Sequence, residues 1–162
     1  MAEKAARDPR SGALKLPAAI LGAWGLYQIL AGFYFIFIRP SFLPEDLRAS
    51  AVTLETIRAV APGMETWLQW VLAMVGGQMA ASGVVVIGGA IRLAKRGHAG
   101  WTEVITYLLA GFFSVVLMSG VNFTLRSDFR WLLVAPVVLW LSAVILLARQ
   151  ASHRARDARQ GL

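Results

Sequence analysis

Four neutral polar side chains stand where chemistry inside an apolar chain would have to be done. Gln28, Gln78, Ser82 and Ser114 each fall near the middle of a long apolar segment. An amide or hydroxyl in hydrocarbon needs a hydrogen-bonding partner, and such a contact is worth about 0.6–2 kcal/mol. Two readings follow. Either the four side chains bond across helices and hold a bundle together, or they line a cavity that takes a small ligand or lipid tail. No acidic or basic residue lies at that depth, which removes the feature that marks proton relays and ion pathways in membrane spans. Glu65 and Glu103 stand at segment ends, where a carboxylate complements a helix N-terminus. His98 and His153 fall outside the apolar segments. No nucleophile, acid pair or metal-ligand cluster shares one depth, so no catalytic residue is assigned. The sequence contains no cysteine, which removes thiol catalysis, disulfide scaffolds and iron–sulfur or Cys-type zinc sites. The reading is of a non-enzymatic protein that calls for no metal and no cofactor.

A second group is charged and lies at segment ends. Asn122, Arg126, Asp128 and Arg130, with Glu45 and Asp46 from another connection, form a candidate polar network closing the outer mouth of a bundle. Such a network acts as a staple or as a recognition surface, and its exposed ion pairs are individually weak. Asn122-Phe123-Thr124 matches the glycosylation pattern, but it lies within an apolar segment and is no acceptor.

These residues are positioned by four segments, 17–38, 67–92, 103–125 and 131–148, each apolar for about the 20 residues that a helix needs to cross hydrocarbon. The fold class is all-α: an integral membrane domain of four transmembrane helices in an up-down bundle. Pro17 sits in the first turn, where its missing N–H costs nothing. Pro136, six residues into the fourth segment, predicts a kink or a 3₁₀ turn, whereas Leu108 to Met118 reads as a largely unbroken helix. Small residues recur at helical spacing: Gly25 and Gly32 flank Gln28, and Gly76, Ala80 and Gly83 form a stripe beside Gln78. This spacing marks a helix–helix seam, within one chain or between copies. Trp67, Trp70, Trp101 and Trp131 suit the headgroup level, while Trp24 and Trp140 fall inside the segments and are expected to pack against neighbouring helices.

The connections differ in length. Residues 95–100 and 126–130 are short, so each joined pair of spans is expected to be adjacent and antiparallel. The outer loop, 39–66, predicts a helix start near Ser41 to Asp46, with Ser41 or a neighbour capping. A second start at Thr53 opens a short amphipathic helix ended by Pro62-Gly63, with Glu55 and Arg58 facing outward.

Charge decides orientation. Sixteen Lys and Arg against nine Asp and Glu leave +7. Eleven of the sixteen fall in the N-terminal stretch, the second loop and the tail 149–162, against five in the other two loops. Basic residues are retained on the cytoplasmic side, so both termini are expected in the cytoplasm and the protein in the inner membrane. The basic tail then rests near anionic lipid headgroups. It lacks the aromatic residues that stack on bases, so nucleic acid is not an expected partner.

The loop Arg39-Pro40-Ser41-Phe42-Leu43-Pro44-Glu45-Asp46-Leu47-Arg48, with Asn122-Phe123 and the run from Ser127 to Leu132, resembles a group of small bacterial four-span inner-membrane proteins. The resemblance spans residues 17 to 148 and implies the membrane fold but no activity. The leading functional expectation is a non-catalytic accessory or assembly subunit, or a homo-oligomer joined by its small-residue seams, with the bilayer and a membrane protein or second copy as partners. The alternative is a small transporter or carrier of a hydrophobic ligand, lipid or quinone-like, that uses the midplane polar layer.

Overall fold

The computed structural model describes residues 14–160. Among them the regular structure is entirely helical. Helix α1 spans Lys15–Phe37, α2 Pro44–Ser50, α3 Leu54–Val60 and α4 Met64–Arg96. The third span is built from α5 (Trp101–Gly111), a π-helical segment (Phe112–Val116) and α6 (Leu117–Thr124), and α7 covers Val134–Gln160. All four spans are long and apolar enough to cross a membrane. Large apolar side chains such as Leu30, Phe33, Val84, Val85, Leu109 and Ile145 remain exposed along them. That is the surface expected where lipid, not water, is the solvent.

Helix α4 exceeds the expected 67–92 at both ends. Its 33 residues measure about 50 Å at 1.5 Å per residue, against a hydrocarbon core of about 30 Å, so its ends stand clear of the hydrocarbon. Gly97, in the left-handed conformation at φ +70°, caps it by donating to the Leu93 carbonyl at 3.3 Å. The fourth span starts later and runs further than expected. Turns with successive i→i+3 bonds, Arg130 to Ser127, Leu132 to Phe129 and Val134 to Trp131 (3.0–3.2 Å), precede it. Pro136 therefore lies in the first turn of α7, where no intrahelical bond is lost. Beyond Arg149 the tail continues as helix to Gln160.

Glycines set how the spans meet. Gly25 and Gly32 of α1 face Gly83 and Gly76 of α4 in antiparallel register: a Cβ on Gly25 would lie 2.9 Å from the Gly83 carbonyl, and one on Gly32 would press on Gly76 and Ala80. The seam foreseen from small-residue spacing is thus internal, between the first two spans. Across the bundle α1 also packs on α7, and α7 on α5. Trp24 and Trp140 sit in a core of Leu21, Val86, Leu93, Val104, Val144 and Leu147, which also takes in Leu14, Ala99 and Ala151 at the end where both termini emerge.

The second and third spans face each other across their short loop, but their backbones do not pack closely. The glycine seam draws α4 onto α1, and Trp140 draws α5 onto α7. The walls of the remaining gap touch where the Tyr107 hydroxyl rests over Gly89.

Trp140 also explains a break in the third span, which reads as continuous in the sequence. Its indole N–H donates to the Tyr107 carbonyl at 2.7 Å, and its ring occupies the space a side chain on residue 111 would take. A group inserted beside the backbone ladder locally rewinds a helix. Immediately after Gly111 the pitch widens into the π segment, at whose end the Leu117 N–H reaches back five residues to the Phe112 carbonyl.

At the opposite end the connection 39–66 carries α2 and α3. The cap of α2 is at Leu43 and not Ser41: the Leu43 N–H donates to the Asp46 carboxylate at 2.9 Å, while the Ser41 hydroxyl donates to the Glu65 carbonyl at 2.8 Å. Thr53 caps α3 by accepting from the Thr56 N–H at 3.2 Å. Glu55 and Arg58 both face outward, and Arg58 pairs there with Glu65 at 2.7 Å.

Candidate functional site

The gap between the second and third spans is where the midplane polar residues meet. Gln28 comes from α1 at the back of this cleft, Gln78 and Ser82 from one face of α4, and Ser114 from the π segment. All four line two contiguous lobes of about 520 and 550 Å³. The outer lobe runs to Phe35, Met74 and Met118, the inner to Val85, Val86 and Ala110, with Phe113 common to both. No ionisable side chain except the Tyr27 phenol lines either lobe.

Hydrogen bonding across helices, one of the two expectations for these residues, is not what the geometry provides. No hydrogen bond joins any two of the four side chains among the described residues. Ser114 donates back to the Ala110 carbonyl of its own helix at 2.7 Å, a bond that also favours local distortion. Gln28 is 3% exposed, borders both lobes, and makes no side-chain hydrogen bond among the described residues. An amide on an apolar-walled cleft is free to pair with a polar group that enters it. The π segment supplies one further element. It shifts the register of the third span at Ser114, and such insertions are frequent at functional sites. The arrangement offers neutral donors and acceptors at mid-depth, enclosed by apolar walls and reached from the lipid side.

The outer network is partly assembled. Glu45, 3% exposed, accepts a 2.7 Å hydrogen bond at Oε1 from the hydroxyl of Ser127, which is 1% exposed. Its Oε2 has no partner among the described residues. Asp46 pairs with Arg39 at 3.0 Å, and Arg48 with Asp128 at 3.5 Å. Arg130 donates to the Ser127 carbonyl at 3.3 Å and lies over the Trp131 ring. Asn122 is outside this set, since its amide donates to the Met118 carbonyl of its own helix at 2.9 Å. Arg126 contributes conformation: at φ +51° it ends α6 in the left-handed region and turns the chain toward Glu45. Ser127, Arg39 and Arg48 are the members that sequence reasoning did not select. Ser127 lies next to Asp128, but nothing in the sequence pairs it with a residue 82 positions away.

Ser127→Ala removes the donor to a buried carboxylate and the acceptor of the Phe129 N–H at 3.2 Å. A hydrogen bond to a charged group is worth about 1.5–3 kcal/mol, and we expect a loss of that size in a detergent unfolding titration. A variant as stable as the parent would show that the contact does not staple the outer loop.

Together the helices, their exposed apolar flanks and the cleft define an all-α, multi-pass membrane protein of four spans. Compared with known proteins, the chain matches no protein-family model, no curated protein and no solved structure.

Proposed function

We propose that this protein binds a neutral amphiphile, a lipid or quinone-like molecule carrying a carbonyl or hydroxyl, with its polar atoms at the midplane of the cleft and its apolar body between the second and third spans. The observation that carries this reading is Gln28, 3% exposed and on the wall of both cleft lobes, whose amide makes no hydrogen bond among the described residues. A neutral ligand suits a site without acidic or basic side chains, because a lipid charge at that depth would be desolvated without a counter-charge. The eleven-to-five distribution of Lys and Arg supports placement in the inner membrane with both termini cytoplasmic.

The test is titration of the detergent-purified protein with decylubiquinone, read by native mass spectrometry. Gln28→Leu and Gln78→Leu are each expected to weaken binding about 3- to 30-fold, the equivalent of one hydrogen bond in a bundle interior, while Ser142→Ala, on α7 and outside the lining of either lobe, leaves it unchanged. Parent-like binding by both folded Gln variants overturns the site, and no binding by the parent overturns the ligand class. An accessory or assembly role is the second reading, supported by the broad apolar exterior. It calls for a stoichiometric protein partner in mild detergent. The glycine stripes are engaged within one chain and lend no support to a homo-oligomer.

A further inference from the structure

Below the apolar cleft, at the end where both termini emerge, the gap between the second and third spans opens into a smaller cavity of about 270 Å³ with different chemistry. Arg92 and Arg96, one turn apart on α4, form one wall, and Thr102, Glu103 and Thr106 of α5 form the other. Each wall thus presents its polar groups on one helical face. Arg92 has no acidic partner among the described residues. Arg96 lies 3.9 Å from Glu103, whose other carboxylate oxygen accepts the Gly100 N–H at 2.9 Å. One cation is therefore unpaired and the other only loosely engaged. Tyr107 reaches across to Gly89 and fixes the spacing of the walls. Val85, Val86 and Ala110, one turn further in, continue the same gap as an apolar channel, and Trp101 at its rim is exposed at the level where indoles meet headgroups.

We propose that this cavity is a headgroup site for an anionic phospholipid. The phosphodiester lies between the Arg92 and Arg96 guanidinium groups and the Thr102 and Thr106 hydroxyls, and an acyl chain enters the apolar gap. Guanidinium groups match phosphate oxygens in geometry and charge, and threonine hydroxyls donate to the oxygens left over. A phosphate held only by water-exposed cations would gain little, whereas here the acyl chain adds burial that a soluble anion lacks. Basic pockets between spans are the usual form of such recognition. The headgroup contacts are separate from the midplane reading, since Gln28 and Gln78 do not line this cavity. Only the acyl chain shares the inner lobe of the cleft, and loss of decylubiquinone binding in the Gln variants leaves the phosphatidylglycerol preference untouched.

The test uses the full chain in mild detergent with equimolar phosphatidylglycerol and phosphatidylcholine, read by native mass spectrometry. Two cations at a membrane surface, each worth about fivefold, give an expected preference for phosphatidylglycerol of roughly 30-fold. Arg92→Gln/Arg96→Gln is expected to bring the two lipids near parity. Arg92→Lys/Arg96→Lys keeps most of the preference, and Arg154→Gln/Arg156→Gln in the tail, equal in charge change, keeps all of it. Millimolar glycerol 3-phosphate is expected not to displace the lipid. Retained preference in the Arg92→Gln/Arg96→Gln protein overturns the proposal. Equal loss in the tail variant overturns it in favour of diffuse surface charge, and displacement by glycerol 3-phosphate overturns it in favour of a soluble-anion site.

Discussion

Gly111→Ala unseats Trp140 and lowers stability by about 3–5 kcal/mol, the cost of emptying a large aromatic core position. The added methyl would fall inside the volume of the indole ring. Neither group can yield cheaply. Residue 111 sits on a helix backbone, and the ring is held by its N–H bond to the Tyr107 carbonyl at 2.7 Å within a core that includes Val104, Tyr107 and Val144. Moving the ring breaks that bond and parts α5 from α7. The expected readout is a large fall in the midpoint of a detergent unfolding titration, with a changed tryptophan emission. Gly111→Ala/Trp140→Leu should recover part of the loss, since the smaller side chain no longer competes for the space. A Gly111→Ala protein within about 1 kcal/mol of the parent, less than ordinary overpacking costs, would show that Trp140 does not lie against residue 111.

Gly83→Val is the second large effect. A Cβ there would meet the Gly25 carbonyl and lie 2.7 Å from Ile29 and 3.0 Å from its backbone N, so the obstruction is main chain and not the end of a flexible side chain. Overpacking of this kind costs about 1–3 kcal/mol, and valine, with two further methyls, belongs at the upper end. The consequence reaches the cleft, because Gln28 lies between Gly25 and Gly32 on α1 and depends on that seam for its burial. Gly22→Val is the matched control. Nothing lies within 4 Å of a Cβ at Gly22, so its effect should stay within the few tenths of a kcal/mol separating valine from glycine as helix residues. Equal losses from the two substitutions would mean that the seam is not the close approach of α1 and α4.

Much of the architecture was legible because a bilayer reduces the problem to length and polarity. Spans must be apolar for about 20 residues, and every backbone group must bond within its helix. The uncharged stretch from Pro17 to Ile38 therefore implied a helix whatever surrounded it. Boundaries were less legible. Trp131 to Leu133 are apolar and read as span, yet they form turns, because composition does not distinguish a lipid-facing turn from a helix end. The π segment was invisible for a different reason: Phe112 to Val116 carry no breaker, and the distortion comes from Trp140, 29 residues after Gly111.

The site divided in the same way. The residues of the polar layer were legible as a set, since uncharged Gln and Ser deep within spans are few and share a depth. Their role was open, because hydrogen bonding across helices and lining a cleft place the same residues at the same depth and differ only in how far apart the backbones stand. That spacing depends on pairwise contacts between distant residues: Gly25 with Gly83 and Gly32 with Gly76 close one side of the bundle, and Trp140 with Tyr107 closes another. Once those contacts form, the third neighbour pair is left apart and the amides face a cleft. Composition and periodicity alone determined that this is a four-helix membrane protein with its basic residues concentrated at the end of both termini. Only the tertiary structure decided that the glycine seam is internal, that the third span is rewound at Ser114 and that Glu45 is buried against Ser127. The physical reason is that hydrophobicity acts on each segment separately, whereas close packing and buried hydrogen bonds belong to pairs of residues whose separation in sequence carries no signal.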